Sequence, residues 1–355
     1  MKIAVVGAGN GGQAIAAYLA SEGAEVRLYD YDKSKVDELN RKGNVIELCG
    51  AVVLKSVISL ISNSIAEVVK DAELILICTV ADVHGLIARQ LSGLLQDGQV
   101  IVLSPGRTGG ALEFRQIFDK EGNGAHVYVA EAQTLVYACR LIENGLVNII
   151  GVKDKVLLSA LPSSDTSYVL SRINPYYECF IAAENVLRTS LENIGAIFHP
   201  CVLLFNAATI ERQKEFWFYK DMTPQIAGFI EQFDNERIAV GKAYGIDLLG
   251  VNEWISYAYP DTEGETLCEK MINNPAYSEI KSPPTIFTRQ LTEDIPTGVL
   301  PILELGLAAG LEMPLMKSLM SICSALLGID FSGGRTLANL GLKGLSKEEI
   351  LKYLS

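Results

Sequence analysis

Residues 2–20 read KIAVVGAGNGGQAIAAYLA: an apolar run passes through a glycine cluster into an alanine-rich amphipathic stretch. Gly7, Gly9 and Gly12 have the G-x-G-x-x-G spacing between a strand-like run and a helix-like one. A side chain there would obstruct the tight turn, the approach of a pyrophosphate, or the packing of helix on strand. The helix start then offers unpaired N–H groups to phosphate oxygens. Few folds accommodate this combination, and the N-terminal region is expected to bind a dinucleotide through Gly7, Gly9, Asn10, Gly11 and Gly12. Asp30 ends the next strand-like run, and its carboxylate could accept from the adenosine ribose hydroxyls while repelling a 2'-phosphate. NAD is therefore the expected cofactor. Arg27 and Lys33 flank Asp30 and keep NADP open.

The first half continues the alternation. Segments 24–30, 73–80, 99–105 and 125–131 are apolar and β-rich, and amphipathic stretches separate several of them. Continuously apolar strands between helices imply a parallel sheet covered on both faces, an α/β doubly wound Rossmann domain. Segments 147–152, 155–162 and 178–186 are expected to extend it. Beyond 186 the period becomes helical. Residues 186–213 read as one long helix interrupted by Pro200, followed by apolar helices around 225–245, 299–310 and 314–328. A chain of 355 residues exceeds what one core usually serves. Two domains follow, 1–186 for the dinucleotide and 187–355, mainly α-helical, for substrate and catalysis. The polar stretch 271–298 is expected to be a long functional loop. Ser346 and Glu349 suggest a capping box for a last helix.

A formal charge of -12 with no basic run disfavours nucleic acid and anionic membranes as partners. No apolar stretch approaches the length of a membrane span, and glycines interrupt the only run placed like a signal-peptide core. The seven cysteines are scattered without a CxxC pair, which fits reduced thiols and a cytoplasmic protein. With three dispersed histidines, no metal site is expected.

Two further places could carry chemistry. SPGRTGG (104–110) follows a strand and opens a helix, where the switch-point rule places ligands, and Pro105, Gly106 and Gly109 would let backbone approach one closely. The bland alternative is an ordinary strand-to-helix turn. His199, in ENIGAIFHP, is either an acid/base group or a core histidine beside a proline kink. A group titrating near neutrality can give and take a proton in a reversible hydride transfer. From the residues alone both readings stand. His84 could face the cofactor, cap a helix or meet solvent. His126 carries no functional signal. The EFWFY aromatics (215–219) could line a site, although packing is their default.

The segments GAGNGGQAIAAYLA (7–20), PGRTGGALEFR (105–115), ENVLRTSLENIGAIFHP (184–200), NPAYSEI (274–280), TRQLTEDIPTGVLP (288–301) and GRTLANLGL (334–342) together resemble the opine dehydrogenases. The match is to the bacterial N-(1-D-carboxyethyl)-L-norvaline dehydrogenase type and covers essentially the whole chain. The resemblance implies a Rossmann domain joined to a helical one, with the active site in the cleft between them. It also implies reduction, by NADH or NADPH, of the imine formed from an amino acid and a 2-oxo acid such as pyruvate. His199 matches the family's catalytic histidine, Asp294 its carboxylate partner, and Arg289 a position implicated in binding the oxo-acid carboxylate. Arg107 and Thr134 match candidate substrate contacts. Arg140 and Arg335 read better as structural. A homodimer through the helical domain stays open. Two other readings are kept: a ketopantoate-reductase or 3-hydroxyacid-dehydrogenase type of reductase, which relies on a helical-domain lysine absent between 186 and 213, and a non-catalytic NAD sensor.

Overall fold

The computed structural model describes residues 1–355. It divides into two compact units, Met1–Ser190 with Lys352–Ser355, and Leu191–Leu351. The final residues thus return to the first unit, where Ser164 N–H donates to the Ser355 carbonyl at 3.2 Å.

The first unit holds twelve strands: β1 (Lys2–Val6), β2 (Glu25–Tyr29), β3 (Val45–Gly50), β4 (Leu54–Val57), β5 (Leu60–Ser62), β6 (Leu74–Ile77), β7 (Val100–Leu103), β8 (Tyr128–Ala132), β9 (Tyr137–Glu143), β10 (Leu146–Val152), β11 (Val156–Leu161) and β12 (Phe180–Ala182). Seven helices accompany them: α1 (Asn10–Ser21), α2 (Lys33–Arg41), α3 (Ile65–Val69), α4 (His84–Ser92), α5 (Gly110–Glu121), α6 (Thr166–Ile173) and α7 (Val186–Leu191). The main sheet has the order β12-β11-β8-β7-β6-β1-β2-β5 and is parallel from β5 through β8. β11 joins antiparallel to β8, and β12 parallel to β11. β6 and β7 are buried at every position, which is why their sequences show no polar alternation.

A second sheet, β4-β3-β10-β9, corrects the sequence reading. Segment 147–152 pairs with β3 and β9 instead of extending the main sheet. Segment 178–186 keeps only three strand residues, because its last residue already starts α7. Helix α1 packs on β1 and β2 of the main sheet and on β3, β4, β9 and β10 of the second. Its small residues Ala14, Ala16 and Ala17 permit this and are fully buried. Gln13 is buried between the sheets with both ends satisfied: its amide donates to the Ala8 carbonyl at 2.9 Å and its oxygen accepts from Gly145 N–H at 2.9 Å.

The second unit is helical: α8 (Gly195–Phe205), α9 (Ala207–Glu211), α10 (Pro224–Ala243), α11 (Val251–Ala258), α12 (Leu267–Asn273), α13 (Arg289–Thr292), α14 (Leu300–Ala308), α15 (Pro314–Leu327) and α16 (Lys347–Leu354), the last running into the first unit's final residues. The expected helix over 186–213 is three helices. Its main break falls at 192–194, whereas Pro200 lies inside α8, which continues through it. Asn193 and Gly195 at the break favour turn over helix, and Ile194 N–H bonds the Glu192 carbonyl at 2.8 Å. Thr223 caps α10, with Pro224 at its first position. Ser346 and Glu349 form the expected capping box at 2.8 and 3.2 Å.

α10 packs against α8, α14, α12 and α15. Its buried Arg237 is held in a fork by Asp234 at 2.6 and 3.1 Å, and also donates to the Leu191 carbonyl at 3.0 Å and the Leu249 carbonyl at 2.7 Å. A buried ion pair offsets its desolvation only when satisfied in this way. Here the pair also fixes Leu191, the first residue of the second unit, before the turn into α8. No helix is long and apolar enough to cross a membrane.

Candidate active site

The glycine loop meets the steric demands read from its spacing. Gly7 has φ +104°, and a Cβ on Gly12 would lie 1.7 Å from the Gly7 carbonyl oxygen. A Cβ on Gly11 would meet the Leu135 side chain at 2.6 Å, whereas one on Gly9 would meet no protein atom within 4 Å. Gly9 thus fronts open space, as backbone that a pyrophosphate approaches must. α1 begins at Asn10 without a side-chain cap, so its first N–H groups are available to phosphate. The Asn10 side chain is engaged elsewhere, accepting from Leu141 N–H at 3.2 Å. These residues fit a dinucleotide.

Asp30 is buried at the end of β2, accepting from Ala8 N–H at 2.8 Å, Asp32 N–H at 3.0 Å and the Lys35 ammonium at 2.9 Å. The cation beside it is therefore Lys35, in the first turn of α2, and neither of the two considered from sequence. Arg27 donates to Glu25 and to the carbonyls of Glu67 and Lys70, and Lys33 pairs with Asp37.

The turn after β7 is pinned from below. Pro105 follows a cis peptide bond, and a Cβ on Gly106 would collide with Glu131. Glu131, fully buried, accepts from the Thr189 and Ser190 hydroxyls at 2.7 Å each and from Ala111 N–H at 2.8 Å. Ser190 in turn accepts from Gly109 N–H at 2.9 Å. Between these fixed points Arg107 has φ +58°, a conformation uncommon outside glycine. Thr134 lies beside Leu135, the residue packed over Gly11. Its hydroxyl accepts from the Lys153 ammonium, a partner not anticipated from sequence.

In the second unit, His199 lies in α8 with its Nδ1 2.6 Å from Asp294 Oδ2, although ninety-five positions separate them. The carboxylate is almost wholly buried and the imidazole about one-fifth exposed. Asp294 does not sit in a loop, as the sequence suggested. It immediately precedes a π-helical turn, Ile295–Val299, and α13 lies just before it, so the expected loop 271–298 is helical over most of its last ten positions and over 271–273 at its start. Such widened turns recur at functional sites. The turn packs on α8, and Gly298 allows the contact: a Cβ there would meet Ala196 Cβ at 2.5 Å. The other ring nitrogen, Nε2, is 3.1 Å from the Tyr219 hydroxyl. Tyr219 stacks on Tyr277 at 4.4 Å, and Phe218 stands edge-on to His199 at 5.9 Å. Burial, with smaller effects from Asp294 and Tyr259, pushes the Tyr219 phenol well above its ordinary pKa.

The remaining candidates separate. Arg289 is exposed on α13, with Glu293 at a loose 3.9 Å. Arg140 is exposed on β9 without an ion pair, against the structural reading given to it. Arg335 is buried, its backbone N–H donating to the Pro296 carbonyl at 2.9 Å. His84 is not at solvent: it is fully buried, edge-on to Phe114 at 5.8 Å. His126 is exposed beside Tyr128.

A phosphate-receptive glycine turn on a doubly wound sheet, followed by helices that carry a hydrogen-bonded imidazole and carboxylate, belongs to the pyridine-nucleotide-dependent dehydrogenases. Comparison with known proteins narrows the class. Residues 2–114 match the NAD-dependent glycerol-3-phosphate dehydrogenase N-terminus, and residues 182–327 match the α-helical domain of NAD/NADP octopine/nopaline dehydrogenases. The opine dehydrogenase of Arthrobacter sp. (strain 1C) is 37% identical over 97% of this chain and 96% of its own. Vitopine synthase of Allorhizobium ampelinum is 28% identical over 64% of each chain. An octopine dehydrogenase structure with NADH and L-arginine superposes with a TM-score of 0.84 over 99% of this chain and 98% of its own, at 21% identity. The chain belongs to the opine dehydrogenase family, NAD(P)-dependent oxidoreductases acting on CH–NH donors. The simple 2-oxo-acid reductase and the non-catalytic sensor are thereby set aside.

Proposed function

We propose that the chain joins the amino group of an amino acid to a 2-oxo acid such as pyruvate and reduces the resulting imine, with His199 as acid/base, Asp294 as its partner and Arg289 holding the oxo-acid carboxylate. The observation that carries the residue roles is the 2.6 Å bond between His199 and Asp294, which leaves the second ring nitrogen against a neutral hydroxyl. A carboxylate on Nδ1 fixes the tautomer and stabilises the imidazolium. Nε2 can then protonate the carbonyl oxygen as the amine attacks, assist its loss as water, and take the proton back in reverse. The reduced cofactor, when bound, supplies the hydride. Arg289, largely free of its loose ion pair, is suited to a planar carboxylate.

His199→Ala and Asp294→Asn should each lower kcat by about 100-fold or more, the usual share of acid/base catalysis, while NADH still quenches or shifts protein fluorescence as in the wild type. Near-normal turnover in both variants would remove the dyad from the mechanism.

Gly7, Gly9, Asn10, Gly11, Gly12, Asp30 and Pro105 are proposed to hold the cofactor, with NAD preferred over NADP. Asp30 supports this choice, because its carboxylate ends β2, the nearby Lys35 is already paired with it, and Arg27 is committed elsewhere. NADH should outperform NADPH in kcat/KM by about tenfold or more, an estimate for one carboxylate set against a phosphate. Equal values would overturn the preference. A cytoplasmic location fits the seven free cysteines, and exposed Ile322 and Leu326 on α15 favour a homodimer through the helical unit.

A further inference from the structure

Residues 213–222 form a strap between α9 and α10 that brings Tyr219 onto His199. The strap starts at Gln213, whose φ of +55° is uncommon outside glycine, and ends at Thr223, the cap of α10. A short antiparallel bridge latches it to residues 280–282. Phe218 N–H donates to the Ile280 carbonyl at 2.7 Å, Ser282 N–H to the Phe216 carbonyl at 2.8 Å, and Phe216 N–H to the Ser282 hydroxyl at 3.3 Å. The Glu215–Lys281 ion pair beside it, at 3.1 Å, is exposed and adds little. Each side of the bridge carries one ring of a stacked pair: Tyr219 directly follows Phe218, and Tyr277 lies shortly before Ile280. This stack plugs the working nitrogen, with the Tyr219 hydroxyl 3.1 Å from His199 Nε2. The Tyr219 residue is 8% exposed, and its ring lies among Tyr277 at 4.4 Å, Phe218 at 4.8 Å and Phe198 at 6.2 Å. Packed so closely, it cannot vacate Nε2 by turning about its own side-chain bonds while its neighbours stay in place.

We infer that the strap and residues 275–282 form a lid over His199, closed by the bridge between Phe216–Phe218 and Ile280–Ser282, and that substrate reaches Nε2 when the bridge parts and the Tyr219–Tyr277 plug withdraws. The inference rests on the acid/base role proposed for His199, which requires a substrate oxygen where the Tyr219 hydroxyl lies. The fold supplies what such a lid needs. Gln213, just past the end of α9, is placed to absorb a change of backbone angles. The bridge is short and partly exposed, so water replaces its partners when it opens and the cost is small. Return of Tyr219 to Nε2 closes the site between turnovers and keeps bulk water off the imidazole.

The test locks the bridge. Trp217 and Lys281 face each other as a non-hydrogen-bonded pair, and the Cα atoms of such pairs lie about 4.5 Å apart, within the span of a disulfide. Trp217→Cys combined with Lys281→Cys should therefore cross-link on oxidation, as checked by mass spectrometry, and thiol reduction returns the unlocked protein of the same sequence for comparison. Oxidation should lower NADH-dependent turnover of an amino-acid and oxo-acid pair by about tenfold or more, as when the competent state is depopulated. Turnover should recover on reduction and the Kd for NADH should stay unchanged, each measured against wild type oxidised alongside because of its seven free cysteines. A second arm needs no turnover. Acylation of His199 by diethyl pyrocarbonate, read by mass spectrometry relative to the exposed His126, should be several-fold slower in the locked protein than in the reduced one. Equal turnover of the locked and reduced forms, or equal labelling of His199, would overturn the lid. A wild type that turns over no amino-acid and oxo-acid pair would instead contradict the proposed reaction, and the labelling arm would still decide the lid.

Discussion

His199 has a partner on each ring nitrogen, and the two partners differ in kind. Asp294 is a carboxylate that can only accept while ionised, whereas Tyr219 can donate to a neutral Nε2 or accept from a protonated one without changing its own charge. Its raised pKa keeps it neutral throughout. Tyr219 thus holds Nε2 in place in either protonation state and, in the proposed mechanism, yields that position to substrate. Tyr219→Phe keeps the stack on Tyr277 and removes only the hydroxyl, so kcat should fall by about tenfold, the value of one hydrogen bond, at unchanged melting temperature. An unaltered kcat would make the contact incidental. The pairing of His199 with Asp294 was legible only through the family motif, since the residues alone left His199 open between an acid/base group and a core histidine. Tyr219 was not, because it sits in an aromatic run where packing is the default. Lys35 was missed in favour of Arg27 and Lys33, since only the capped start of α2 decides which lysine turns back to Asp30.

At the scale of elements, the pairing of His199 with Asp294 depends on how closely the π-turn approaches α8. Gly298 sets that distance, because even one methyl group would overlap Ala196, a residue one helical turn before His199. Gly298→Ala should therefore separate the two elements and lower kcat by about 100-fold, as small displacements of catalytic groups do. NADH affinity, a property of the first unit, should be retained. Retention of full turnover would contradict the steric reading. Local periodicity suggested neither the π-turn nor the break at 192–194, since both arise where a tertiary contact or a buried Asn outweighs helical preference. The second sheet was equally invisible. Its central pairing joins Glu47 to Leu146 across the intervening main-sheet strands, and short strands such as LKSV carry no distinguishing pattern. By contrast, β1, β6 and β7 were plain in the sequence, because strands buried on both faces must be apolar throughout.

For the whole molecule, the family follows from full-length similarity and the α/β-then-helical order, while the proposed residue roles rest on geometry within each unit. The first unit presents a phosphate-receptive loop, and the second a hydrogen-bonded imidazole and carboxylate and an exposed arginine. Condensation followed by reduction requires two different organic substrates, and simple reduction requires one. NADH oxidation should accordingly be measured with pyruvate alone, with each amino acid alone, and with each pair. At least one pair should oxidise NADH well above the sum of its single-substrate rates and yield a secondary amine dicarboxylate detectable by mass spectrometry. Oxidation by pyruvate alone at the rate of every pair would contradict the account.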